Sequence, residues 1–266
     1  MKIGFIGGGN MADAILSAVL KHNLATPSGV TVSDIAEARR DYLRQTYKVN
    51  VTDSNPGAVE GKDVIILAIK PQTLSDAMAG LKGKLKPTQL LISIVAGKSI
   101  QTISSGLNHK CLVRSMPNTP AQIGEGMTVW TATPQVTSQQ KASAASILGV
   151  MGMEIFVDAE KYLDMATAVS GSGPAYVFLF VESMVEAAVK LGFTPEIAQK
   201  LVLQTLLGSG HLLQKSGKTP QELRRMVTSP GGTTAEAIAV FERGDFAGLV
   251  DRAVTAAHEK AKKLGG

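Results

Sequence analysis

Apolar positions along the chain follow two different periods, and the change falls near residue 160. Before it, short β-branched and apolar runs at residues 2–6, 30–32, 64–69, 90–95, 111–116, 127–131 and 154–157 alternate with stretches of helical spacing. Between the first two runs, Met11, Ala14, Ile15, Ala18 and Val19 share one helical face. The run Val64-Ile-Ile-Leu-Ala-Ile69 has no polar position, as expected for a central strand covered on both sides. Strand–helix alternation predicts a doubly wound α/β domain over residues 1–160, a parallel sheet with crossover helices.

After Tyr162 the strand signal stops. Residues 175–191 place Val177, Val181, Met184, Val185 and Ala188 on one face, with Glu182, Glu186 and Lys190 opposite. Pro195 suits a first helical turn and Gly217 a C-terminal cap, which predicts a helix over 195–215. A last helix over 246–264 buries Phe246, Leu249, Val250, Ala253 and Ala257 and carries Lys260, Lys262 and Lys263 at the negative end of its dipole. Residues 161–266 therefore read as an all-helical domain. Its apolar stripes, rich in Ala and Gly, exceed what so small a bundle covers by itself, which predicts homo-oligomerisation through this half.

Composition narrows the function classes. Of 266 residues 44% are hydrophobic and 18% charged, enough for a large core without covalent staples. The one cysteine, Cys111, has no partner for a disulfide framework or a thiolate zinc site and reads as a small buried hydrophobe. The chain enters structure at once, and its longest apolar run is far below a membrane span, so no membrane association and a cytoplasmic location are expected. The net charge of +5 raises nucleic acid as a partner, but the basic residues are scattered. The cluster Lys82-Gly-Lys84-Leu-Lys86 also lacks aromatics for stacking on bases. Small anionic ligands remain.

Strand 1 runs into Gly7-Gly8-Gly9-Asn10-Met11-Ala12, a G-x-G-x-x-A pattern. The first Gly permits the turn, the second lets backbone approach a pyrophosphate, and the small third residue lets helix and strand pack closely. The helix then offers unpaired N–H groups and positive dipole to phosphates. Asp34 follows the second strand, where an acid accepts hydrogen bonds from the adenosine ribose. An Asx turn at the strand end is the competing reading. Ala68-Ile69-Lys70-Pro71 and Val95-Ala96-Gly97 end two further strands, where ligands bind in open α/β sheets.

In the helical half, Val169-Ser170-Gly171-Ser172-Gly173-Pro174-Ala175-Tyr176 and Thr228-Ser229-Pro230-Gly231-Gly232-Thr233-Thr234 read as loops that each precede a helix. Free N–H groups and hydroxyls there suit a carboxylate, although Ser and Thr are also ordinary caps. No metal-ligand spacing appears, and His22, His109, His211 and His258 sit in polar or helix-end settings more typical of surface residues. A dinucleotide with hydroxyls and backbone donors, and no obvious acid–base side chain, suits a hydride acceptor that is readily protonated. An imine is such a group.

Five segments occur in order: the glycine loop with its Gly4-Phe5-Ile6 lead, Lys70-Pro71, Arg114-Ser-Met-Pro-Asn-Thr-Pro120, Ser170-Gly-Ser-Gly-Pro-Ala-Tyr176 and Ser229-Pro-Gly-Gly-Thr-Thr234. Over nearly the whole length this sequence resembles pyrroline-5-carboxylate reductase. The resemblance implies reduction of the ring imine of 1-pyrroline-5-carboxylate to L-proline. It also implies a Rossmann domain and a helical domain forming an interlocked homodimer, often a ring of five dimers, a decamer. By the same resemblance, Thr234 matches the catalytic threonine that hydrogen-bonds the ring nitrogen. Gly232, Thr233 and Ser172 match substrate-binding positions. Gly7, Gly9, Asn10, Met11, Ala12, Asn55, Ala68, Lys70, Pro71, Val95 and Ala96 match cofactor-binding ones.

One departure matters. Many relatives prefer NADP(H) and carry a small polar residue at position 34, so Asp34 opens the use of NAD(H). Two rival readings stay open. β-Hydroxyacid dehydrogenases share the two-part architecture, but the segment after Gly173 has no Lys until Lys190. A non-catalytic dinucleotide sensor is expected to lose the chemistry-bearing loop, which is present at Ser229–Thr234.

Overall fold

The computed structural model describes residues 1–265. Two compact units form: Met1–Ser172 together with the end of the last helix from Ala257, and Gly173–Ala256.

The first unit is one eight-stranded sheet: β1 (Ile3–Ile6), β2 (Val30–Ser33), β3 (Asn50–Thr52), β4 (Val64–Leu67), β5 (Leu90–Ser93), β6 (Leu112–Met116), β7 (Gly126–Ala132) and β8 (Gly152–Phe156). The order is β3-β2-β1-β4-β5-β6-β7-β8, the doubly wound Rossmann arrangement extended by two strands. All neighbours are parallel except β6 and β7, so the sheet departs from the all-parallel expectation at that one pair. Its helices are α1 (Asn10–Lys21), α2 (Glu37–Tyr47), α3 (Asn55–Val59), α4 (Leu74–Leu81), α5 (Ile100–Leu107), α6 (Ser138–Gly149) and α7 (Lys161–Ala166).

Alternation along the strands assigns the two faces. Ile3, Phe5, Val30, Val32, Val64 and Ile66 join Ile15, Leu16 and Val19 of α1 in one core. Ile6, Ile65, Leu67 and Leu91 join residues of α4 and α5 in the other. Gly4 faces α3 so closely that a Cβ there would lie 2.2 Å from the Ala58 carbonyl oxygen. That missing side chain lets α3 lie against β1 and carries Asn55 to the end of β2.

Several local readings change. The three residues of β3, with polar Asn50 and Thr52, carry no apolar alternation; they pair with β2 through backbone and through Asn50, whose Nδ2 donates to the Val30 carbonyl (3.1 Å). The segment 169–176 is not a loop: a π-helical turn at Thr167–Gly171 continues into a helix, and the Ser172 N–H bonds the Thr167 carbonyl (2.8 Å). Asn118 braces this turn, donating from Nδ2 to the Ser170 carbonyl (3.0 Å) and accepting the Met127 N–H at Oδ1 (2.8 Å). Arg114, almost fully buried, joins β6 to α7 through Glu160 (2.7 Å) and Asp164 (3.1 Å). His109 is buried rather than at the surface, with Nε2 2.9 Å from the Gln89 carbonyl oxygen. Cys111 is buried as expected, and burial pushes its thiol pKa up.

The second unit contains α8 (Gly173–Lys190), α9 (Pro195–Ser216), α10 (Pro220–Met226), α11 (Thr233–Arg243) and the first part of α12 (Phe246–Gly265). Thr194 caps α9 by accepting the Ile197 N–H, and Gly217, at φ +67°, ends it. Helix α10 has no long apolar face and was not expected, yet Thr219 and Glu222 form a reciprocal capping box at its start. Among the described residues of this unit, only Ala198 and Val202 are buried apolar side chains, while Phe178, Leu179, Leu212 and Val240 are more than half exposed. The helical run Lys161–Lys190 is long and apolar enough to cross a membrane by length and composition alone. It equally fits a face that awaits another protein surface.

Candidate active site

Parallel registers place the ends of four strands side by side: Ile6 pairs with Ser33 and with Leu67, and Leu67 pairs with Ser93. The order reverses on the two sides of β1, and ligands bind at such a switch point, beyond the carboxyl ends of the strands. Gly7, Asp34, Ala68 and the Val95–Gly97 turn follow these strands.

Gly7 sits at φ +93°, and a Cβ there would lie 2.6 Å from the Ala68 carbonyl oxygen and 2.7 Å from Ile69 Cγ2. Gly9 is the N-cap of α1, makes no side-chain cap, and has no heavy atom within 4 Å of a built Cβ. The first helical bond runs from the Asp13 N–H to the Gly9 carbonyl (2.9 Å), so the N–H groups of Asn10, Met11 and Ala12 have no intrahelical acceptor. Ala12 is buried in the core and offers a ligand only backbone, while Met11 is half-buried and packs against that core. This cradle fits a pyrophosphate.

Asp34 is held on both carboxylate oxygens. Oδ2 accepts the Gly8 N–H (2.8 Å) and Oδ1 the Ala36 N–H (2.9 Å). The second bond is the Asx turn; the first ties the strand end to the glycine loop. Ser33 donates its hydroxyl to Asn55 Oδ1 (2.7 Å), which fixes Asn55 beside the same edge. Lys70 is exposed, and its carbonyl accepts the Thr73 hydroxyl (3.0 Å) in the short 3-10 turn that Pro71 begins. Ala96 is exposed, whereas the Val95 side chain belongs to the core and presents only backbone. Gly97, at φ +62°, receives the end of α12: a Cβ there would lie 2.6 Å from Leu264 Cβ.

In the second unit, Gly231 takes φ +68° and the Gly232 N–H bonds the Ser229 carbonyl (3.1 Å). Gly232 is the N-cap of α11, with no side-chain cap. The first helical bond is from the Glu236 N–H to the Gly232 carbonyl (3.3 Å), so Thr233, Thr234 and Ala235 keep N–H groups without intrahelical acceptors. Thr234 is half-buried. The construction repeats that of α1: glycine at the cap, small residues after it, and donors left open.

Sequence reasoning named Gly7 and Gly9 but missed the intervening Gly8, whose N–H and carbonyl are both gripped by side chains from the β2–α2 region. No sequence signal distinguishes it from its two neighbours. Asn118 was legible only as part of the motif 114–120.

Residues 160–264 match the family model described as pyrroline-5-carboxylate reductase dimerisation, and residues 2–97 match one described as NADP oxidoreductase, coenzyme F420-dependent. The pyrroline-5-carboxylate reductase of Synechocystis sp. is 41% identical over 265 residues, covering 100% of this chain and 98% of the relative. The solved structure of a Coxiella burnetii pyrroline-5-carboxylate reductase superposes with a TM-score of 0.92 at 37% identity, over 100% of this chain and 98% of that one. The Plasmodium falciparum pyrroline carboxylate reductase, crystallised with NADP bound, gives 0.90 at 33% identity with the same coverage. These matches exclude the dehydrogenase and sensor readings, and they make the exposed apolar helices of the second unit the surface of a homo-oligomer. The chain belongs to the pyrroline-5-carboxylate reductases: it reduces 1-pyrroline-5-carboxylate to L-proline with a nicotinamide dinucleotide, a step of proline biosynthesis.

Proposed function

We propose that the two glycine-capped helix starts divide the binding work, one for the dinucleotide and one for the substrate. Gly7, Gly9, Asn10, Met11 and Ala12 hold the pyrophosphate by backbone, with Asp34 and Asn55 toward the ribose end. Ala68, Lys70, Pro71, Val95 and Ala96 supply the edge along which the rest of the dinucleotide lies. Residues 1–160 act as the dinucleotide domain, and residues 161–266 as the substrate and oligomerisation domain. The open N–H groups of Thr233 and Thr234, exposed by the glycine cap at Gly232, bind the substrate carboxylate, and Ser172 is a further substrate-binding position. The Thr234 hydroxyl hydrogen-bonds the ring nitrogen. What carries this reading is the uncapped first turn of α11, whose donors are fixed in place before any ligand arrives.

The dinucleotide, when bound, supplies the hydride that the imine carbon accepts. Thr234 orients the imine and keeps a proton donor beside the nitrogen as it becomes an amine. The open backbone donors at the start of α11 hydrogen-bond the carboxylate without a mobile cation, so the ring is held in one orientation. A cytoplasmic location fits the single buried, unpaired Cys111. For assembly we propose dimers through the helical domain, joined as a decamer. Light scattering is then expected to read ten times the 27.9 kDa protomer mass, and a dimer mass would reject the ring.

The usual cofactor of the family is NADP(H), yet Asp34 favours NAD(H). Its carboxylate is pinned by Gly8 and Ala36, so it cannot turn away from a 2′-phosphate without losing both bonds. Like-charge juxtaposition of this kind costs about 2 kcal/mol, or about 30-fold in a rate ratio. Asp34→Ser is therefore expected to raise the NADPH-to-NADH ratio of kcat/KM by about that factor, measured as nicotinamide oxidation with pyrroline-5-carboxylate. An unchanged ratio would leave Asp34 as an Asx turn and nothing more.

A further inference from the structure

Gly8 is gripped from two sides. Asp34 accepts its N–H, and Arg39, in the first turn of α2, donates from Nε to its carbonyl. The same guanidinium pairs through Nη2 with Asp13 Oδ2 of α1 at 2.8 Å and stacks over the Tyr42 ring at 4.6 Å from its centroid. Arg39 and Asp13 are each mostly buried, with side-chain exposures of 24% and 20%. Such a pair is less screened than a surface contact, and it is held by charge, since Arg39 Nη2 makes no hydrogen bond. The other guanidinium near position 34 is also engaged: Arg40 donates to the Asp34 carbonyl (2.8 Å) and the Ile35 carbonyl (3.1 Å). Tyr47, the last residue of α2, also stands beside Asp13. Burial first, and then the Asp13 carboxylate, raise its phenol pKa, so it stays neutral and puts no second negative charge beside Arg39.

A 2′-phosphate on the adenosine ribose needs an uncommitted cation, and a fork-shaped guanidinium is the group best suited to it. Arg39 is the cation tied to the glycine loop itself, and its charge is already neutralised. Asp13 has no part in the glycine pattern: it lies one position past Ala12, on the helix that opens there.

We infer that Asp13 is a second specificity-determining residue for the dinucleotide, which disfavours NADPH by holding Arg39 in an ion pair behind the Gly7–Gly9 loop. This rests on the reading that the adenosine ribose lies at Asp34. Asp34 repels the extra phosphate directly, and Asp13 withholds the charge that would offset it. Neither carboxylate alone sets the preference.

The test compares NADPH and NADH in Asp13→Asn, Asp34→Ser, the double variant, and Asp13→Asn combined with Arg39→Gln, each as purified full chain. Asp13→Asn keeps the shape of the side chain while removing its charge. It is expected to raise the NADPH-to-NADH ratio of kcat/KM by about fivefold, and to tighten NADPH binding by fluorescence titration by the same factor. In the Arg39→Gln background the gain should vanish. Because each ratio is read within one preparation, partial loss of fold cancels. Asp13→Ser supplies a second way to remove the charge. An unchanged ratio in both Asp13 variants overturns the inference, and so does a gain that survives loss of Arg39, which would make Asp13 a simple repulsive charge. Failure of Asp34→Ser alone to move the ratio would instead overturn the underlying placement of the ribose.

Discussion

Replacing Thr234 by Ala is expected to lower kcat about a hundredfold while leaving dinucleotide binding in place, the loss typical of removing one aligned donor to a reacting centre. The substitution takes away the hydroxyl but keeps the helix start. Thr234 is the second residue of α11, its side chain is half-buried, and the open N–H groups of that turn are backbone. Folding should therefore hold, with a melting temperature close to that of the parent. Thr234→Ser restores the hydroxyl and should recover most of the rate. Steady-state kinetics with varied pyrroline-5-carboxylate separates the two contributions: loss concentrated in kcat marks a role in the transition state, and loss confined to KM marks ground-state binding alone. An Ala variant within about threefold of the parent would remove Thr234 from the chemistry.

The second large effect concerns the glycine loop, where neighbouring positions should fail differently. Gly7→Ala puts a side chain at φ +93° and drives its Cβ to 2.6 Å from the Ala68 carbonyl oxygen, which is backbone and cannot swing aside. Strain and collision together should cost about 2–4 kcal/mol of stability, and dinucleotide affinity should fall as well. Gly9→Ala meets neither obstacle: its φ is −66° and no atom lies within 4 Å of the added Cβ. Its thermal midpoint should stay near the parent's while dinucleotide affinity drops at least about tenfold, because the new methyl occupies the space through which backbone approaches phosphate. Thermal denaturation alongside fluorescence titration reads both quantities. If Gly9→Ala bound the dinucleotide normally, the pyrophosphate would not lie at this helix start.

How legible these features were depended on the range of the interactions behind them. Val64–Ile69 announced a central strand because burial on both faces excludes polar side chains, and β4 is buried at every position. The 3.6-residue stripe before residue 22 announced α1. The glycine loop was readable because a positive φ and a close backbone approach accept one residue type. By contrast β3 and α10 are held by pairing and capping rather than by an apolar face, and they gave no periodic signal. The Ser170–Gly173 segment misled for a related reason. Glycine and serine mark loops in isolation, but here Asn118 and Met116, more than fifty positions earlier, support a π-helical turn: a Cβ on Gly171 would lie 2.8 Å from Met116 Cε.

The helical half shows the opposite balance. Its apolar stripes were visible in the sequence, and their exposure in the folded chain turns a compositional oddity into a contact surface. Phe178 and Leu179 stay uncovered because the helices of this unit have too little apolar partner surface of their own.

By itself the sequence determined the alternation of strand and helix, the change of texture near residue 160, the glycine pattern and the kind of ligand that small residues and open backbone donors can hold. These are local properties, set by side-chain size, periodicity and permitted φ. Tertiary structure alone decided that Asp34 is locked by Gly8 and Ala36, that Arg39 is spent on Asp13, that His109 is buried and that the last two strands of the sheet, β7 and β8, run against the other six. Each of these joins residues distant in the chain or sets which of several polar partners wins, and that competition is settled only when the sheet has brought all of them together.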